Sequence, residues 1–388
     1  MSLKKQTISG VKWVSIAKIV LTILGIIKIS VLARFLDSKD FGLMALVTFV
    51  LGFMNLFMDL GFTTAILHKQ KITKKEYASL YWSNMLFSIF LFLLIFSISP
   101  FIASFYNEPE LKLLIPLMGF SLILSATGKQ FQTIAQKKLR FKYTSYVEMS
   151  STIFGLFLGV TLAVKGYGVY ALVYSALGQY LLSNGIFLIK GIKGSGIIFY
   201  FNYSKVKPFL KIGLYQVGGQ VINYFNRDID ILIIGKFFGS EILGGYSLAK
   251  QLIRRPLGII NPIVNNVLIP IFPKFQNDNF KLKSYFLRLF NIMGVINGLV
   301  YGLIAIWAFW LIKILYGDNF TYIESYVQLF AIVIYLRSMA TNVGLLVIAK
   351  GRTDYEFLLN IGIIIITPMS VYFGSIYSIE TVILVLGV

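Results

Sequence analysis

The sequence predicts an all-α polytopic membrane protein of about 12 transmembrane helices, arranged as two six-helix lobes related by a parallel repeat, the second lobe incomplete at the C-terminus. Three observations carry that expectation. Of 388 residues, 57% are hydrophobic and only 13% charged, whereas soluble domains carry about a quarter charged residues. Apolar runs of the ~20 residues that a helix needs to cross a bilayer recur from end to end. The loops between these runs alternate between strongly basic and mixed or acidic.

Apolar runs bounded by turn signals predict helices over 11–36, 39–67, 78–104, 111–137, 143–165, 168–190, 208–237, 240–268, 283–314, 321–350 and 354–377, with a last one starting near 381. The N-terminus is basic, but the apolar segment after it runs to about residue 36 without a clear cleavage site. It reads as a permanent helix and not as a signal peptide.

One set of loops holds Lys4, Lys5 and Lys12, then Lys69, Lys71, Lys74 and Lys75, then Lys137, Lys138, Arg140 and Lys142, with further clusters at 190–211, 274–288 and 350–352. The other set holds Arg34, Lys39, Lys112, Lys165, Lys236 and Lys313 beside Asp37, Asp40, Glu108, Glu110, Glu241, Asp318, Glu324 and Glu380. Lysine and arginine accumulate on the cytoplasmic side of membrane proteins, so the N-terminus is expected to be cytoplasmic.

The sequence also repeats itself. ARFLDSKDFGLMALV from Ala33 resembles GKFFGSEILGGYSLA from Gly235, FYNEPE from Phe105 echoes LYGDNF from Leu315, and IAQKKLRFKY from Ile134 echoes IAKGRTDYEF from Ile348. Six spans per copy is an even number, so both copies enter from one side and are expected to be related by an axis along the membrane normal. The lobes are then 1–190 and 208–388, with 191–207 a cytoplasmic linker. Val388 maps near Tyr174, inside the sixth helix of the first copy, so the second copy is expected to stop partway through its last helix.

Composition excludes several functions. The net charge of +20 is spread over helix flanks and interiors, and lacks the single exposed basic domain of a nucleic-acid binder. The absence of cysteine removes disulfides, thiolate catalysis and cysteine-based metal sites. The linker motif GIKGSG has neither the preceding strand nor the GK[ST] ending of a phosphate loop. His68, the single histidine, sits beside Lys69 and Lys71, where it supports no metal cluster and reads as a solvated boundary residue.

The most telling residues are cations inside the apolar runs: Lys18, Lys28, Lys129, Arg227, Lys250, Arg254, Arg255 and Arg337. A basic group at the centre of a membrane helix costs about 2.5–3.5 kcal/mol on insertion scales, so such groups turn toward a wet cavity or a partner. Lys250, Arg254 and Arg337 are too central to snorkel and lack an acidic neighbour in sequence. That favours a cavity for an anionic headgroup, with Lys18, Lys129, Arg255 and Arg227 as further candidates. Guanidinium and ammonium groups suit phosphate oxygens.

Polar stripes accompany the cations. Gln216, Gln220, Asn223, Arg227 and Asp230 share one helical face, as do Ser247, Lys250, Arg254, Gly258 and Asn261. Pro256 can break the hydrogen-bond ladder of the second of these helices, freeing backbone groups toward the interior. In the first copy the fourth helix offers Ser125, Lys129, Gln132 and Gln136. Gln216, Gln220, Asn223, Gln132 and Asn261 either line a cavity or hydrogen-bond between packed helices.

Arg227 either serves a ligand or pairs with Asp228 or Asp230. Lys28 either snorkels to the interface or, since the repeat aligns it with Asp230, meets that aspartate as an outward gate. Asp59 and Glu148 are either proton or sodium sites or ordinary caps near the cytoplasmic helix ends.

The stretches VKWVS, VLARFLDSKDFGLMALV, MDLGFTTAILHKQ, FYNEPEL and RDIDILIIGKFFGSEILGGYSLAKQL together resemble the polysaccharide-biosynthesis branch of the multidrug/oligosaccharidyl-lipid/polysaccharide exporters, the Wzx-type flippases. The likeness runs over essentially the whole chain, and the abrupt end at Val388 departs from the twelve to fourteen helices usual there. The resemblance implies a multi-pass protein of the bacterial inner membrane that moves an undecaprenyl-pyrophosphate-linked oligosaccharide to the periplasmic leaflet by alternating access, for O-antigen, capsule or exopolysaccharide assembly.

It implies no enzymatic activity and no bound cofactor, with Na+ or H+ coupling open. The partners it implies are the lipid-linked oligosaccharide, membrane lipid, and a polysaccharide polymerase with its chain-length machinery. The alternatives are a multidrug exporter of the same superfamily, disfavoured by the excess of intramembrane cations, and a membrane polysaccharide polymerase.

Overall fold

The computed structural model describes the backbone of residues 3–58, 63, 66–67, 69, 72–196, 198–268, 272–276 and 278–387. Side chains are described for the same residues except 3–8, 195, 205, 208–216, 259–268, 273–274, 341–342, 345, 348–349, 353, 356–357 and 360. Asp59 and His68 lie outside the described residues, and so do the side chains of Gln216 and Asn261.

Among the described residues the regular structure is entirely helical. The helices are α1 (Leu3–Leu32), α2 (Ser38–Met58), α3 (Lys74–Tyr106), α4 (Leu111–Lys137), α5 (Phe141–Val164), α6 (Val169–Ser195), α7 (Tyr203–Leu268), α8 (Asn279–Ile306), α9 (Ala308–Tyr316), α10 (Glu324–Ala349), α11 (Thr353–Ser375) and α12 (Ile379–Val385), with short 3-10 turns at Phe272–Phe275 and Asp318–Ile323. Nine helical segments among the described residues are long and apolar enough to cross a membrane, and one of these, Val217–Gly258, covers both predicted spans on either side of residue 239. The shorter Ile361–Ser375 is also apolar. The chain is thus an all-α polytopic membrane protein.

Most helix ends fall where the turn signals place them. Thr73 caps α3 by accepting from the Glu76 N–H, and the Glu76 carboxylate reaches back to the Thr73 N–H, a reciprocal capping box. Asn107 closes the same helix in the left-handed conformation, φ 56°, which asparagine tolerates better than most residues. The turn between α4 and α5 passes through Leu139 at φ 54°.

One boundary differs from expectation. The span expected at 283–314 is divided at Trp307, whose backbone (φ −97°, ψ 14°) leaves the helical region, giving α8 and the short α9. Trp307, Phe309 and Trp310 around this break are exposed, in keeping with aromatic residues that collect at a membrane interface. Gly239 is the residue inside α7 that leaves helical dihedrals, at φ 80° and ψ 175°, a region open essentially to glycine alone. Pro256 removes one N–H from the ladder, but the neighbouring turns hold its own backbone in helical geometry. Of the predicted 39–67 helix, α2 is described to Met58, and residues 59–62 lie outside the described residues.

The chain forms two compact units, Met1–Val221 and Ile222–Val388. In the first, α5 packs along α6 and α1, and α4 lies against α3 and α6. Close approach is bought by small residues: a side chain on Gly128 would collide with the backbone of Asn184, and one on Gly191 with the ring of Phe131. Outside this core, α1 carries exposed Val11, Val14, Ile19, Ile23 and Ile27, the apolar surface that lipid solvates. In the second unit α8 packs on α10, and α12 on α10 and α11, around a core that includes Leu289, Met293 and Met339.

Candidate functional site

Gly239 makes the site possible. Because α7 is broken there, residues on either side of the break can face one another. The side-chain pairs across it (Asp230 with Tyr246 and Lys250, Asp228 with Lys250 and Arg254) stand at similar sequence distances from Gly239. That is the pattern of an antiparallel helical hairpin. The polar faces read from the sequence at Arg227/Asp230 and at Lys250/Arg254 therefore meet each other.

Their geometry is that of a buried ionic network. The Lys250 ammonium donates to both oxygens of Asp230 at 2.8 and 2.7 Å, to Asp228 Oδ1 at 3.2 Å and to the Arg227 carbonyl at 3.1 Å. The Arg254 guanidinium donates to the same Asp228 oxygen and to the same Arg227 carbonyl, both at 3.0 Å. Arg227 Nε takes the other Asp228 oxygen at 2.6 Å. The Tyr246 hydroxyl donates to Asp230 Oδ2. The Lys250 and Asp230 side chains are 7% and 2% exposed, against 29% for Arg254 and 58% for Arg227.

This corrects the expectation that Lys250 and Arg254 lack acidic partners. Sequence distance hid them, because the partners lie across the hairpin. Arg227 pairs with Asp228 rather than Asp230, since Asp230 is occupied by Lys250 and Tyr246. Taking two ions out of water costs several kcal/mol each, and only close multiple hydrogen bonds repay it. Both carboxylates here have them.

Arg337 on α10 is within electrostatic reach of Arg254 and Asp230. With it, the group holds four basic side chains against two carboxylates. The named side chains thus carry a formal excess of positive charge, and the least buried cations, Arg254 and Arg227, lie at the group's accessible edge. Such a group can hold a doubly charged anion. Arg255 faces another way: it donates to Gln251 Oε1 at 3.0 Å and lies near Tyr316.

The remaining candidates are distributed as follows. Asn223 is exposed in the second unit, and Gln220 is exposed at the end of the first. In the first unit Lys18 is exposed on α1, while Lys28 and Lys129 are half-buried. Gln132 on α4 donates to Glu148 on α5 at 2.8 Å, with Lys129 close to the same carboxylate. Gln179 on α6 extends this seam by donating to Thr152 at 3.0 Å. Gln132 thus joins two helices.

Tyr246 was not singled out in the sequence. Its spacing from Lys250, one helical turn earlier, was the available signal.

The family described as "Polysaccharide biosynthesis protein" matches residues 31–325. Lipopolysaccharide biosynthesis protein WzxC of Escherichia coli (strain K12) is 30% identical over 366 residues, covering 93% of this chain and 73% of its own length. Teichuronic acid biosynthesis protein TuaB of Bacillus subtilis (strain 168) is 30% identical over 380 residues, covering 96% and 77%. Among solved structures, lipid II flippase MurJ in an inward closed conformation superposes with a TM-score of 0.73 at 17% identity, covering 96% of this chain and 84% of that one. A likeness at that identity is one of fold.

Proposed function

Because the chain belongs to the polysaccharide biosynthesis protein family, we propose that it flips an undecaprenyl-pyrophosphate-linked oligosaccharide from the cytoplasmic to the periplasmic leaflet of the bacterial inner membrane. The observation that carries this reading is the hairpin network: a group in which four cations stand near two carboxylates, set among membrane-spanning helices, suits the negative charge of a pyrophosphate. Arg254 and Arg337 are assigned to the phosphate oxygens, with Arg227 at the rim. Lys250, held by Asp228 and Asp230, positions this face.

The N-terminus is cytoplasmic in this reading, which the distribution of loop cations supports. Movement is by rocking of 1–190 against 208–388, with 191–207 as the connection, so that the site opens to each leaflet in turn. The chain performs no bond-making chemistry, and its transport is coupled to Na+ or H+ or drawn by consumption of the product. Its partners beyond lipid are the polymerase and chain-length machinery that receive the flipped sugar.

The test is transport by the purified, reconstituted protein of a fluorescent polyprenyl-diphosphate sugar. Passage between leaflets at unchanged chain length is expected. Lengthening of the glycan would instead support the polymerase reading. Arg254→Gln together with Arg337→Gln is expected to lower the flipping rate on the order of 10-fold or more, each being a charge-assisted contact to phosphate. An unchanged rate would remove the anion clamp from the mechanism.

A further inference from the structure

At the helix ends that carry the basic loops, the first unit holds a second concentration of charge that the proposed transport site does not use. The α4–α5 turn brings Lys138 and Arg140 to one rim of a groove, and the last turns of α6 bring Lys190 and Lys193 to the other. Phe131, Tyr143 and Phe187 form its floor, and its volume is about 580 Å³. No aspartate or glutamate is among the described residues lining it.

This is a built feature. Phe131 lies against Gly191, where any side chain would displace it. The Lys190 ammonium stands 4.9 Å from the centre of the Tyr143 ring, a cation–π contact that holds it over the floor. The Tyr143 hydroxyl is buried and has no hydrogen-bond partner among the described residues. Four cations converging without a carboxylate repel one another, and the arrangement is relieved by an anion. The apolar neighbourhood identifies the kind of anion: Ile189 and Ile192, on the same turns of α6, are exposed. A phosphate in the groove would have room for a hydrocarbon chain beside it along α6.

We propose that this groove binds an anionic phospholipid, its phosphodiester between the two basic rims and an acyl chain on Ile189 and Ile192. Basic pockets between helices at the cytoplasmic side have this chemistry, and the orientation proposed above puts the groove in that leaflet. Two-phosphate lipids are favoured over one-phosphate lipids by the number of cations.

The experiment is native mass spectrometry of the full chain released from nanodiscs of mixed phosphatidylglycerol, cardiolipin and phosphatidylcholine. Anionic lipid is expected to be retained over phosphatidylcholine. Arg140→Gln with Lys193→Gln is expected to lower that preference on the order of 10-fold, from the loss of two interfacial cations. The charge-matched control, Lys75→Gln with Lys142→Gln, removes two cations that stack on Tyr200 and on Trp13 and is expected to leave it unchanged.

Equal retention of zwitterionic and anionic lipid, or equal loss in both variants, would overturn the assignment. Displacement of the phospholipid by an equimolar polyprenyl diphosphate would overturn it in favour of a substrate dock. Retention is read without transport, so this test and that of the flippase reading fail independently.

Discussion

The hairpin around Gly239 and the α4–α5–α6 seam are both polar strips inside apolar helices, but they solve the same problem differently. The seam is joined through single hydrogen bonds of Gln132 to Glu148 and of Gln179 to Thr152, with a further contact from Ser175 to the Gly155 carbonyl. The hairpin concentrates ions: Asp228 accepts from three cations, and Asp230 from Lys250 and Tyr246. A seam of single hydrogen bonds fastens helices. A network with more cations than carboxylates fastens helices and, in the proposed reading, also attracts an anion.

The sharpest way to break the comparison is to remove a buried ion from one side. Among the described side-chain hydrogen-bond partners, Lys250→Met leaves buried Asp230 with the Tyr246 hydroxyl, and is expected to cost about 3–5 kcal/mol, as for other broken buried pairs. Thermal unfolding in detergent would register it. Lys250→Met with Asp230→Leu is expected to recover most of that loss, and failure to recover would show that the pair is not the unit.

Gly239→Ala comes next, at about 1–3 kcal/mol, because alanine is strained at φ 80° and ψ 175°; the same unfolding measurement checks it. In the seam, Gln132→Ala is expected to cost about 0.6–1.7 kcal/mol, the range for hydrogen bonds between membrane helices. A larger loss than that of Lys250→Met would reverse the contrast. Smallest is Arg227→Ala, since its side chain is 58% exposed and exposed ion pairs contribute about 0–1 kcal/mol. Its effect belongs in the KM for lipid-linked sugar more than in stability.

Much of the architecture was legible in one dimension. Apolar runs bounded by Gly, Pro and charge located the helices, because crossing a bilayer imposes a length and a composition together. The repeat even aligned Gly239 with Asp37, the residue just before α2, and both stand at breaks between helices. Pro256 and Gly239 act differently: a proline inside a helix removes one hydrogen bond without ending the helix, while the dihedrals of Gly239 cannot be continued helically. Trp307 carried no breaking signal at all.

The site was half legible. That Lys250 and Arg254 share a face follows from the 3.6-residue period, and the cost of placing them in lipid made them worth noticing. Which groups answer that cost did not follow, because a helical period says which residues look the same way and not what they look at. The pairing of Lys250 with Asp230, the hydroxyl of Tyr246 upon it and the convergence of Lys138, Arg140, Lys190 and Lys193 on one groove were decided only when helices met. The sequence by itself determined the membrane-spanning plan, since hydrophobicity and helix period are local. The tertiary structure decided the charge pairing, since electrostatic contact depends on distances that sequence separation does not set.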